Sequence, residues 1–365
     1  MSDKGVSTVG VYKPQLDGLR ALAITLVVIY HIDPSLLPGG WIGVDIFFVL
    51  SGYLITSILE HELHATSSIA IGNFYVRRLL RLTPAFWLLL AFIMFVDVLF
   101  SHKVDGFRAV FLSAAYLMNW NRAFNWYPQT LLGHTWSLAM EEQFYLVWPL
   151  ILRGFGRRSP LGFILVTACT VVAWRVYLVW SGAGAERTYN GFDTHSDALL
   201  IGCALAFAKS GSSLESLSLR FGWVPISVIL LFSVVLTHDS PFAQSFGLTI
   251  TAIAAAWLLW ATLNDDRIAR LFSIKPVVYT GQISYGWYLW HYPAIALGAH
   301  LTEKFGRPAL FAAAFATLAF AIAGLSHKYV EAPFLRMKSR FALVALHDQR
   351  NRRGQESRII QLQSD

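Results

Sequence analysis

Residues 16–32 read LDGLRALAITLVVIYHI. An apolar run of this length is close to what crosses a bilayer as a helix, yet it holds two ionisable side chains, Arg20 and His31. They are eleven residues apart. At 3.6 residues per turn this is almost three whole turns, so both leave one face, about 16 Å apart along the axis. Ionisable groups inside a membrane helix are costly and face a bundle interior or a wet cavity. The run predicts a first span that lines a polar path from one side of a membrane toward the other.

The rest of the chain fits that reading. Hydrophobic residues make up 55% of 365, charged residues 14%, and mean hydropathy is +0.50. Soluble domains carry nearer a quarter charged residues, so an integral membrane protein is expected, without a sizeable soluble domain. Met1 to Pro14 is polar and no small-residue cleavage site follows the first run, which reads as a retained span. Cys169 and Cys203 lie in apolar stretches without metal-ligand spacing, and no metal is expected.

The predicted fold is all-α, with ten transmembrane spans at 16–33, 41–60, 83–100, 136–152, 161–180, 196–208, 221–237, 245–263, 277–299 and 308–326. With both termini in the cytoplasm, 21 Lys and Arg fall in inner segments and 6 in outer ones, the bias that orients membrane proteins. The net charge of +7 therefore reports topology and lipid contact, and nucleic acid is not expected as a partner. Phe107 to Trp120 is too short to span and reads as a re-entrant or interfacial element between spans three and four. Residues 1–15 form a cytoplasmic N-terminus, 16–338 the membrane domain, and 339–365 a polar cytoplasmic tail.

Sorting the polar residues by depth separates two groups. Asp45, at the start of span two, shares the outer depth of His31. Ser137 and Glu141 lie at i and i+4 of span four, on one face, with Glu142 beside them. His291 is in the outer half of span nine, and Asp193, His195 and Asp197 stand where span six begins. The inner side instead gathers Arg77, Arg78 and Arg81 at the foot of span three. Arg78 and Arg81 project together, a geometry suited to phosphate groups, although a lipid-facing topological marker explains them equally well. A histidine with a carboxylate to hold its tautomer removes the proton of an attacking hydroxyl in acyl transfer. Asp45 and Glu141 are the carboxylates expected to orient His31. A transporter or flippase carrying an acyl group or anion uses the same residue types along the same path.

Seven segments occur in order: LDGLRALAITLVVIYH, GGWIGVDIFFVLSGYLIT, FYVRRLLRLTPAFW, HTWSLAMEEQFYLVWP, SDALLIGCALA, ISYGWYLWHYP and YVEAPF. Together they resemble the acyltransferase-3 family of membrane acyltransferases, from Leu16 to about Lys338. The resemblance implies ten spans and a cytoplasmic acyl-CoA donor, usually acetyl-CoA, used as substrate with no permanently bound cofactor. It also implies O-acylation of a carbohydrate or glycolipid acceptor, such as a surface polysaccharide or lipopolysaccharide O-antigen, in a bacterial inner membrane.

By position, Arg20 and His31 match the family's Arg-x10-His pair, with His31 as base. Arg78 and Arg81 match its donor-binding Arg-x-x-Arg, and Ser137 and Glu141 its Ser-x-x-x-Glu. One block departs: the family commonly has Arg-Ala-Asp where this chain has His195-Ser196-Asp197. The hydrolase-like extracytoplasmic domain of some relatives is not seen, so handover to the acceptor is expected to fall to the membrane domain or a separate partner.

Overall fold

The computed structural model describes residues 12–99, 106–128, 130–208, 220–305, 308–337 and 341. Most of residues 1–15 and nearly all of the 339–365 tail lie outside these. The helices are α1 (Pro14–Ile32), α2 (Gly43–Thr66), α3 (Ile71–Leu99), α4 (Gly106–Ala114), α5 (Met118–Phe124) and α6 (Trp136–Phe155). Then follow α7 (Leu161–Trp180), α8 (Ala185–Asn190), α9 (Phe192–His195), α10 (Asp197–Ala206), α11 (Val224–Val235) and α12 (Leu248–Asn264). The last are α13 (Asp266–Phe272), α14 (Lys275–Gln282), α15 (Ser284–Phe305), α16 (Pro308–Ser326) and α17 (Ala332–Met337). No strand occurs among the described residues.

Six helical segments are long and apolar enough to cross a membrane: Pro14–Ile32, Gly40–Thr66, Ile71–Leu99, Leu161–Trp180, Ala243–Asn264 and Leu310–Met337. Two shorter apolar helices, α10 and α11, lie where further spans are expected. Helices α6 and α15 occupy two more, but their polar residues dilute their apolarity. Large apolar side chains such as Phe95, Leu146, Val166 and Leu231 stand on the outside, as a lipid environment allows and water does not. The molecule is a multi-pass membrane protein.

The segment read as one interfacial element is two short helices. Tyr116, at φ 53°, breaks the chain between α4 and α5.

Local signals set the helices that carry the site. Pro14 opens α1, where its missing N–H costs nothing, and Asp17 occupies the electropositive first turn. Helix α1 stops at Ile32, where Asp33 turns extended ahead of Pro34. Helix α3 begins twelve residues before the apolar run that reveals it, so the arginines extend its foot. Helices α2 and α10 cross at two glycines. A Cβ on Gly52 would collide with the Leu199 carbonyl, and one on Gly202 with that of Val49. Small residues at both sides of a crossing let membrane helices pack backbone to backbone.

Candidate active site

Parts of α1, α2, α3, α6 and α15 enclose a cavity of about 260 Å³. Its α2 wall runs from Val44 to Ile58, and one end reaches Tyr12, an exposed residue at the foot of α1. Arg20, Arg78 and Arg81 line it, together with Ser137 and Glu141. Five of the residues singled out in the sequence thus share one space.

The three cations are held differently. Arg20 is tied to Asp17, one turn earlier on α1, at 2.5 Å, and Asp17 also accepts from the Tyr12 hydroxyl at 2.8 Å. Arg78 lies over the Tyr145 ring, 4.9 Å from its centroid. Among the described residues, neither Arg78 nor Arg81 has an ion pair. Arg77, on another face of α3, is turned away from the cavity. It donates to Glu62 at 3.0 Å and to the Phe341 carbonyl at 2.7 Å. Glu141 is in the same space, near Ser51 and Tyr145, whose hydroxyls hydrogen-bond each other. With Asp17 committed to Arg20, the cavity offers more cationic than anionic groups, an arrangement that favours an anionic guest.

At the far end of the cavity stand Ser137 and Tyr288, 2.7 Å apart between hydroxyls. Tyr288 also donates to the His134 carbonyl at 2.7 Å. Immediately beyond is a cluster of imidazoles. His291 is one turn past Tyr288 on α15, His134 is three residues before Ser137, and His31 is in the last turn of α1. The His31 and His291 rings are 5.0 Å apart, those of His134 and His291 5.7 Å, and Tyr292 is 5.2 Å from His31. His291 and His134 are buried, whereas His31 keeps partial access.

Asp45 and Asp197 belong elsewhere. Asp45 is hydrogen-bonded to His195 Nε2 at 2.9 Å, not to His31, and His195 Nδ1 donates to the Tyr189 carbonyl at 2.7 Å. Both side chains of that pair are fully buried. Asp197 accepts from Arg175 at 2.7 and 3.0 Å and from Thr249 at 2.7 Å. Arg175 also donates to the Thr194 carbonyl at 2.7 Å. This second polar set fastens α2, α7, α9, α10 and α12 together and lines no part of the cavity. Neither His134 nor Tyr288 is singled out in the sequence. His134 stands two residues ahead of span four, so the depth sorting that found Ser137 had the means to find it.

A family model described as an acyltransferase domain matches residues 13–326. The chain belongs to the acyltransferase-3 family. Within that family, it is 35% identical over 351 residues to the peptidoglycan O-acetyltransferase OatA of Listeria monocytogenes, covering 88% of this chain and 56% of that protein. It is 31% identical over 374 residues to the O-acetyltransferase OatA of Staphylococcus aureus, covering 96% of this chain and 61% of the relative. The chain thus spans about three fifths of the length of these acyltransferases. No solved structure matches.

Proposed function

We propose that this membrane acyltransferase moves an acetyl group from acetyl-CoA in the cytoplasm to a carbohydrate hydroxyl on the other side of a bacterial inner membrane. In this reading the chain crosses ten times with both termini inside, as the lysine and arginine bias favours. One observation carries the proposal: a cavity lined by two arginines that have no ion pair among the described residues ends one helical turn short of the His31 cluster. An acyl-CoA has that form, with phosphates at one end and a reactive thioester on a long arm.

Arg78 and Arg81, together with Arg20, take the phosphates, for which a guanidinium fork is matched. The arm runs along α2 and past Ser137 and Tyr288, which hydrogen-bond each other where the cavity ends, toward the imidazoles. His31 accepts the proton of the acceptor hydroxyl as its oxygen attacks the thioester carbonyl carbon. The C–O bond forms, the C–S bond breaks, and the proton leaves with the thiolate as free CoA thiol. The acceptor approaches from the side where the Tyr30 and Tyr292 rings pack against His31. The names of the relatives make peptidoglycan glycan strands the first acceptor to try.

The purified protein in detergent, given acetyl-CoA and peptidoglycan-derived glycan fragments, is expected to release thiol in step with acetylated glycan. A carrier that only translocates an anion binds acetyl-CoA and releases no thiol, and that result would refute the enzymatic reading.

A further inference from the structure

The hydrogen bonds around the imidazoles assign every proton in the cluster. A backbone carbonyl only accepts, so a ring nitrogen in contact with one carries hydrogen. His31 Nδ1 is 2.8 Å from the Val27 carbonyl, one turn back on α1. The neutral ring is therefore protonated at Nδ1, and the lone pair is on Nε2. His291 Nδ1 is 2.7 Å from the Tyr288 carbonyl, so it too holds its proton there and presents a bare Nε2. That Nε2 is 3.3 Å from His31 Nδ1, on the long side for a hydrogen bond. The His31 Nδ1–H is thus shared between the Val27 carbonyl and His291. His134 completes the set, with Nε2 donating to the Leu289 carbonyl at 3.1 Å.

Among the described residues, no carboxylate pairs with His31. Asp45 is occupied by His195, and Glu141 faces the cavity on the other side of Ser137 and Tyr288. We infer that His291 is the positioning residue for His31, with its Nε2 in the role that a carboxylate plays elsewhere, and that the atom taking the acceptor's proton is His31 Nε2. This rests on the acyl-transfer reading above. His291 stays neutral throughout. It fixes the ring's tautomer and orientation and accepts from the imidazolium, but it does not neutralise the charge.

Two substitutions separate this role from simple packing. His291→Phe keeps a ring and removes the acceptor. A hydrogen bond to a charged group is worth roughly 1.5–3 kcal/mol, so kcat is expected to fall about tenfold to a hundredfold with both KM values held. His291→Gln returns an acceptor oxygen near the lost Nε2 and is expected to recover most of that loss. A His291→Phe protein as fast as the wild type, or a His291→Gln protein no better than it, would overturn the role of His291.

Nitrogen NMR of ¹⁵N-histidine-labelled full-length protein provides a readout independent of turnover. His31 is expected to show a protonated Nδ1 and a bare Nε2, and a His31 protonated at Nε2 overturns the inference. If the wild type releases no CoA thiol, the acyl-transfer reading fails, while the NMR result still decides the His31–His291 arrangement.

Discussion

Two sets of buried charge in this molecule behave in opposite ways. In the set formed by Arg175, Asp197, Asp45 and His195, each side chain is at most 1% exposed, and each charge has a protein partner at hydrogen-bond distance. In the cavity, Arg78 and Arg81 have none among the described residues, and the space reaches the exposed Tyr12. A charge removed from water needs compensation; a neighbour supplies it in the first case, and under the proposed function a guest supplies it in the second. The contrast separates a clamp from a binding site better than residue type does, since both sets contain Arg and an acid.

Substitutions test that contrast from both sides. The largest effect is expected at His31. His31→Ala should lower transfer by about a hundredfold to ten-thousandfold, the span of general-base contributions, while the protein still inserts into the membrane. Thiol release beside a membrane-fraction blot measures both, and unchanged turnover would remove His31 from the chemistry. Arg175→Ala should act on stability instead. Breaking a buried pair from one side strands the Asp197 charge, at a cost of about 3–5 kcal/mol. A lower melting temperature in detergent is the readout, and an unchanged melt would show that the clamp is not one.

Arg78→Ala and Arg81→Ala should leave the fold intact and raise the donor KM about tenfold, with kcat nearly constant, because phosphate contacts away from the reacting carbon act through binding. If neither alters donor dependence, the two arginines mark topology and nothing more. The smallest change is expected at Arg77, whose guanidinium is already paired with Glu62. Arg77→Ala should keep the donor KM within about twofold, since no contact to the guest is lost. A KM effect as large as that of Arg81→Ala would erase the distinction among the three neighbours.

Much of this is legible in the sequence. The 161–180 span is bounded by the helix that occupies it, and the first span differs from α1 by two residues at one end and one at the other. Helix α3 was less legible because hydropathy reports depth in the bilayer and not helix length. Its arginine-bearing foot lies where the chain is no longer apolar. Sorting by depth sets Ser137 and Glu141 with His31 and apart from Arg78 and Arg81, whereas the structure brings these four and Arg20 into one cavity. A helix period fixes height and face, not which elements enclose a common space.

The same sorting gave no way to choose among partners at equal depth. Asp45 and His31 share a level, but Asp45 meets His195, 150 residues away in sequence. That choice depends on how α2 and α9 are rotated about their axes, which the glycine crossing of α2 with α10 constrains and composition does not. The orienting partner expected for His31 was a carboxylate. The nearest polar neighbours are instead a backbone carbonyl and a second imidazole.

The most direct test is a structure of the full-length protein in a lipid nanodisc with a non-hydrolysable thioether analogue of acetyl-CoA. Phosphates against Arg78 and Arg81, with the sulfur beyond Tyr288 and within reach of His31 Nε2, are the expected result. An analogue seated at the His31 end with its phosphates, or outside the cavity altogether, would contradict it.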